Sequence, residues 1–137
     1  MRKLIATLCL TLSILLGSVG LSWSSDNATH LDCFIRDKLA VSISINLKTE
    51  KILHINHLTE PKRFSADATL VGRFLTYYQI ENSGNDMVKS VFATNYRLNR
   101  ETLMLNVFQT QSVNGKKVRS SEIDLSCKII DTKNNKF

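Results

Sequence analysis

His54-Ile55-Asn56-His57 has the look of a metal pair, with two imidazoles three residues apart. In an extended chain residues three apart point to opposite faces, so both rings reach one ion only across a bulge. Glu122 and Asp124 are the nearest thing to paired carboxylates. They lie two apart on one strand face, opposite Ile123 and Leu125, which reads as solvated charge and not as an acid/base pair. Serines are plentiful, yet none lies in a Gly-x-Ser-x-Gly setting, and no glycine-rich phosphate loop occurs. The sequence therefore predicts no catalytic residue, no metal ligand and no cofactor, and a chain that is not an enzyme.

The remaining reactive side chains are three cysteines, Cys9, Cys33 and Cys127. Cys9 sits inside an apolar run from Leu4 to Leu16 that follows Arg2 and Lys3 and precedes the small residues Ser22 and Ser24. That is the layout of a cleavable signal peptide, too short to span a bilayer. Cleavage is expected after Ser24, which removes Cys9. The domain reading is a signal over 1–24, a disordered leader over 25–31, a β domain over 32–130 and a polar tail over 131–137. An exported chain with two cysteines left implies a Cys33–Cys127 disulfide. A loop of 94 residues puts the entropic gain at roughly 4 to 5 kcal/mol.

The elements that must position these residues read as strands. Leu39, Val41, Ile43, Ile45 and Leu47 alternate with Ala40, Ser42, Ser44 and Asn46, the period of a half-buried strand. Lys51 to Leu58 continues as a hairpin partner. Thr59 to Asp67, with the sole proline at Pro61, reads as a long connection holding a helical turn. Ala68 to Glu81 reads as one long strand bent at Gly72, and Asn82 to Asp86 as the reversal after it. Met87 to Leu98, Leu103 to Val107 and Val118 to Ile130 complete the pattern, with Asn114-Gly115 as a hairpin turn. Cys33 shares its side with Ile35, and Cys127 shares its side with Leu125 and Ile129, so both sulfurs face one apolar layer. The expected fold is all-β: a single antiparallel sheet of seven or so strands, a closed or nearly closed barrel or a small sandwich.

Without residues 1–24 the chain of 137 keeps 16 basic and 12 acidic residues. The basic ones are scattered, with clusters only at Lys62/Arg63 and Lys116/Lys117/Arg119, which does not make a nucleic-acid stripe. The polar end before Phe137 lacks the alternation of a membrane barrel strand. Asn27-Ala28-Thr29 fits an N-glycosylation acceptor. Leu98-Asn99-Arg100-Glu101-Thr102, followed by Leu105 and Cys127, resembles a hairpin of small exported proteobacterial proteins of unknown function, with Leu103 where those have glycine. The size and the early and late cysteines resemble periplasmic inhibitors of C-type lysozyme, though the loop those inhibitors insert is not visible. The resemblance implies no site to transfer.

The functional expectation is a non-catalytic periplasmic or secreted domain that binds a protein or an envelope polymer, with Arg73, Tyr77 and Gln79 as the candidate binding face. The alternatives are a barrel carrying a small apolar ligand and a hydrolase of unrecognised arrangement. No nucleic-acid partner and no span after signal cleavage are expected.

Overall fold

The computed structural model describes residues 28–130. The expected signal peptide with Cys9, the acceptor Asn27, the expected polar tail and Phe137 lie outside them. All described elements are strands: β1 (Ala28–Ile35), β2 (Lys38–Asn46), β3 (Lys51–Asn56), β4 (Lys62–Asp67), β5 (Thr69–Val71), β6 (Phe74–Gly84), β7 (Lys89–Asn99), β8 (Met104–Val113) and β9 (Lys116–Ile129). They form one antiparallel sheet in the order β4-β3-β2-β1-β9-β8-β7-β6-β5. The two terminal strands of that order are consecutive in the chain and separated only by Ala68, whose amide donates to the Glu50 carbonyl at 2.8 Å. β4 pairs with β3 and β5 pairs with β6. A single bent stretch thus passes from one side of the sheet to the other and makes a nearly closed up-and-down barrel.

Two strands beyond the seven expected have distinct causes. Lys62–Asp67 was expected as part of a connection with a helical turn, but it is β4. Only Phe64 and Ala66 face the core there, too few for alternation to show among charged neighbours. The expected single strand 68–81 is two, because Gly72, with φ +57°, turns the chain between Val71 and Phe74. Glycine at the first of two central residues suits a type II′ hairpin. β1 also begins at Ala28, ahead of the expected start at residue 32, since its pairing with β2 runs from Ala28↔Asn46.

Turn chemistry accounts for the remaining reversals. Asn114-Gly115 turns with φ of 48° and 79°, both positive as a type I′ turn requires. Arg36 and Asp37 adopt the same positive φ, 46° and 65°, without the residue types that advertise it. A four-residue turn is used twice. Asn46 Oδ1 accepts the amides of Lys48 and Thr49, and Asn99 Oδ1 accepts those of Glu101 and Thr102. Each turn closes on a left-handed residue, Glu50 at φ 55° and Leu103 at φ 57°. The Asn99–Leu103 segment behind the family resemblance is thus a turn device, and its last position favours glycine because it is left-handed.

The core is the barrel interior: Leu31, Cys33, Val41, Ile43, Ile45, Ile52, Leu75, Tyr77, Tyr96, Leu98, Leu105, Leu125 and Cys127. Ala40 is the extra residue of a bulge opposite Cys33/Phe34, which is why Ala40 and Val41 are both buried. Cys33 and Cys127 are directly opposed on β1 and β9 and are bonded, with Cα atoms 3.9 Å apart. The Cys127 amide donates to Leu103 on the β8 side. Against β1 the cysteines are therefore a non-hydrogen-bonded pair, the position where antiparallel Cα atoms approach most closely.

The disulfide crosses a seam of only four residue pairs, so replacing both cysteines by serine should lower unfolding free energy by roughly 2 to 5 kcal/mol. Urea titration checks this, and a thiol assay on the unfolded, unreduced protein should find neither sulfur free. Among turn positions Gly84 should be the least replaceable, because an added Cβ would lie 2.0 Å from the Val88 carbonyl oxygen at φ +115°. Gly84→Ala is expected to destabilise by about 2 kcal/mol or more, while Glu50→Gly, exposed and left-handed, gains about 0.5 to 1 kcal/mol. The same titration ranks them.

Candidate functional site

The barrel interior is graded along its axis. One end is aliphatic, with Leu75, Leu98, Leu105 and the disulfide. The middle is an aromatic layer in which register places His54 opposite Phe64 and Tyr77 opposite Tyr96. His54 is 0% exposed and its Nδ1 lies 3.0 Å from the Tyr77 hydroxyl. Its ring stacks on Phe64 with centroids 4.6 Å apart and leans on Tyr96 at 4.6 Å, while Tyr77 and Tyr96 stack at 4.7 Å. His54 Nε2 is buried with no hydrogen-bond partner among the described residues. Burial, with a smaller contribution from His57, pushes the His54 pKa down to about 4. Burial, and then Glu81, pushes Tyr96 up to about 12. Burial and Tyr96 together hold Tyr77 well above the ordinary range. These are neutral groups closing a core, not a poised acid and base.

Above this layer the two halves of the barrel differ in height. β1 to β4 end near the aromatic layer, whereas β6, β7, β8 and β9 continue as a four-stranded wall. The wall's inner face is polar. Gln79 donates to Glu81 at 3.0 Å, Gln109 donates to Thr94 at 3.2 Å, and Lys62 lies 3.6 Å from Glu81 across the β4–β6 gap. A small depression of about 140 Å³ on this face is lined by Phe92, Gln109, Gln111, Arg119 and Ser121. The outer face carries Tyr78, Ile80 and Phe108, exposed at 67%, 57% and 37%. Tyr78 and Phe108 flank Asn95 in one cross-strand row, and the Lys117 ammonium stands 5.9 Å from the Phe108 ring.

The expected binding face does not form. Tyr77 and Gln79 share one side of β6, as alternation requires, but that side is the interior, and Arg73 lies before the strand and outside it. Tyr77 is 2% exposed. Arg73 sits in the turn after β5, paired with Glu101 at 3.2 Å, and Gln79 points to the polar top of the barrel. Tyr78 and Ile80, on the opposite parity, are the exposed residues. The parity was legible, but the two sides of this strand are similarly apolar, so its inside could not be read from β6 alone.

His54 and His57 lie on opposite sides of the barrel wall. Outside, His57 Nε2 is 2.9 Å from the Ser42 hydroxyl, which donates to Asp32 Oδ1 at 2.7 Å. The three residue types match a nucleophile triad but their order does not. Serine stands in the middle and gives its proton to the carboxylate, where a triad places the imidazole between the two. Glu122 and Asp124 share the outer face of β9 and both accept from the Asn106 amide, at 2.8 and 2.9 Å. Among the described residues no group of three His, Cys, Asp or Glu is placed to hold a metal ion, and no helix is long and apolar enough to cross a membrane.

Comparison of the chain with protein-family models, with curated proteins and with solved structures finds no match.

His54 gives the fold an acid limb. The unfolded chain takes up this proton near pH 6.5 and the folded one only near 4, so the unfolded state binds more protons between them. Stability is fully present above about 6.5 and falls as pH drops toward 4, by roughly 3 kcal/mol in all. His54→Leu should flatten that part of the curve. Urea midpoints at pH 7 and pH 4.5 check it: the difference between them should shrink in the variant.

Proposed function

We propose that the mature chain is a non-catalytic binding domain of the periplasm or the extracellular space, and that it takes a protein or an envelope polymer against the outer face of the β6–β9 wall. The observation that carries this reading is the exposure of Tyr78, Ile80 and Phe108 on a sheet whose backbone is fixed by two long ladders. Exposed apolar groups clustered on one rigid face, with amides and a cation among them, suit recognition. Aromatic side chains give contact area at small entropic cost, and Asn95, Asn106 and Lys117 supply polar complements. The Cys33–Cys127 disulfide is consistent with an oxidising compartment. Below the wall the described core is packed with its own side chains.

The reading is tested by crosslinking and pulldown from native envelope with the oxidised protein as bait. Tyr78→Ser combined with Phe108→Ser should reduce capture at least about tenfold, since aromatic anchors each carry on the order of 1 to 2 kcal/mol or more. Arg73→Ala, in a distant turn, should leave capture unchanged. Equal capture by the double variant and the wild type overturns the assignment of the outer face.

A further inference from the structure

Among the described strands β9 is the longest and has the longest open edge. Its residues 116–124 are exposed on both faces. Among the described residues it pairs with β1 only over Ser126–Ile129, so from Lys116 to Leu125 its one ladder there is with β8, with a bulge at Val118 opposite Gln111 and Ser112. The Cys127 amide donates toward β8, which sets the parity of the antiparallel ladder. Arg119, Ser121, Ile123 and Leu125 turn their backbone groups to β8, and Ser120, Glu122 and Asp124 turn theirs outward. An edge of about 30 Å, at some 3.4 Å per residue, is a template for another strand.

Edge strands are commonly guarded by charge, but here the charge is sorted by sign along the strand. Lys116, Lys117 and Arg119 come first, then Glu122 and Asp124. Both groups are held in place from β8, the acids by the Asn106 amide and Lys117 by the Phe108 ring. A second β9 laid antiparallel sets the basic half of each strand beside the acidic half of the other, with Lys117 of one on the same outer face as Glu122 and Asp124 of the other and Arg119 on the inner face. A parallel one sets like on like, so the edge selects its own reversed copy.

We propose that two copies of this chain pair through the antiparallel β9 edges, residues 116–124, about a two-fold axis that passes near Ser120 perpendicular to the sheet. The two four-stranded walls then form one continuous sheet. β1 occupies the place beside Ser126 and stops the incoming strand there. The far edge of the wall is β6, covered by β5 over Phe74–Thr76 and bridged to β4 by Lys62 and Glu81, so assembly closes at two and does not run on as a fibre. A two-fold normal to the sheet keeps each outer face outward. Both Tyr78–Phe108 patches thus lie on the same side of the dimer, but the pairing itself does not depend on what those patches bind.

Sedimentation of the oxidised, processed protein over a concentration series tests the pairing. The wild type should pass from monomer to dimer, with dissociation favoured by added salt. Changing Lys116, Lys117 and Arg119 to Glu makes the edge wholly acidic, and Glu122→Lys with Asp124→Lys makes it wholly basic. Each variant alone should weaken the dimer at least about tenfold, and an equimolar mixture of the two should recover it as a heterodimer. Ser120→Pro removes an outward N–H and spares the β8 ladder, so it should give a monomer with an unchanged circular dichroism spectrum. A wild type that stays monomeric, reversal variants that dimerise like the wild type, or a mixture that stays monomeric would each overturn the proposal.

Discussion

The short seam between β1 and β9 is the constraint on which the barrel depends. Every other neighbouring pair of strands is joined by a turn or, at β4 and β5, by a single residue. Those connections hold their partners close at small entropic cost. β1 and β9 are the first and last strands, and their ladder covers four residue pairs. Bringing them together means closing almost the whole domain as one loop, and the Cys33–Cys127 bond lies within the ladder that does so. The aromatic layer depends on that closure, because His54 reaches Tyr77 and Tyr96 only when the β1–β4 half is folded against the β6–β9 half.

How much of this was legible varies from residue to residue. Strict alternation on β2 gave its inside and outside, and the bulge at Ala40 displaced only one residue of it. Asn114-Gly115 announced its turn because both residues tolerate positive φ. Arg36-Asp37 makes the same turn, and Glu50 and Leu103 accept left-handed backbone, without glycine; there the ladders on either side impose a conformation that local preference would not choose. Gly72 was conspicuous as the one glycine within a strand-like run after residue 24, but a bend and a full reversal leave the same trace in a sequence. β4 left almost none, because a strand that contributes only Phe64 and Ala66 to the core is mostly charge and serine.

The candidate site was the hardest part to read because it arises from unequal strand lengths. No residue on β6 to β9 announces that its neighbours on β1 to β4 stop short. Val118, Ser120 and Glu122 would look the same in a strand paired on both sides. Only the pairing shows that β9 loses β1 above Ser126. Tyr77 and Tyr78 make the same point at close range: adjacent residues of one type, one enclosed with His54 and the other facing solvent, separated by the pleat alone.

The polar grading of the interior explains how a wall can stand above a closed core without a core of its own. A sheet exposed on both faces buries little apolar surface, so its backbone ladders must be kept by side chains that accept water. On the inner face Gln79, Glu81, Thr94 and Gln109 hydrogen-bond among themselves or with neighbours, which ties β6 internally and β7 to β8 without needing a cover. On the outer face Asn106 ties β8 to β9 through Glu122 and Asp124. Cross-strand polar pairs of this kind contribute on the order of 0.2 to 1 kcal/mol each, too little to fold an isolated sheet. Grafted onto a barrel whose lower half is already closed, the same strands need only be extended, not nucleated. That is why the wall can carry exposed aromatic groups and an open edge while the stability of the domain is supplied from below.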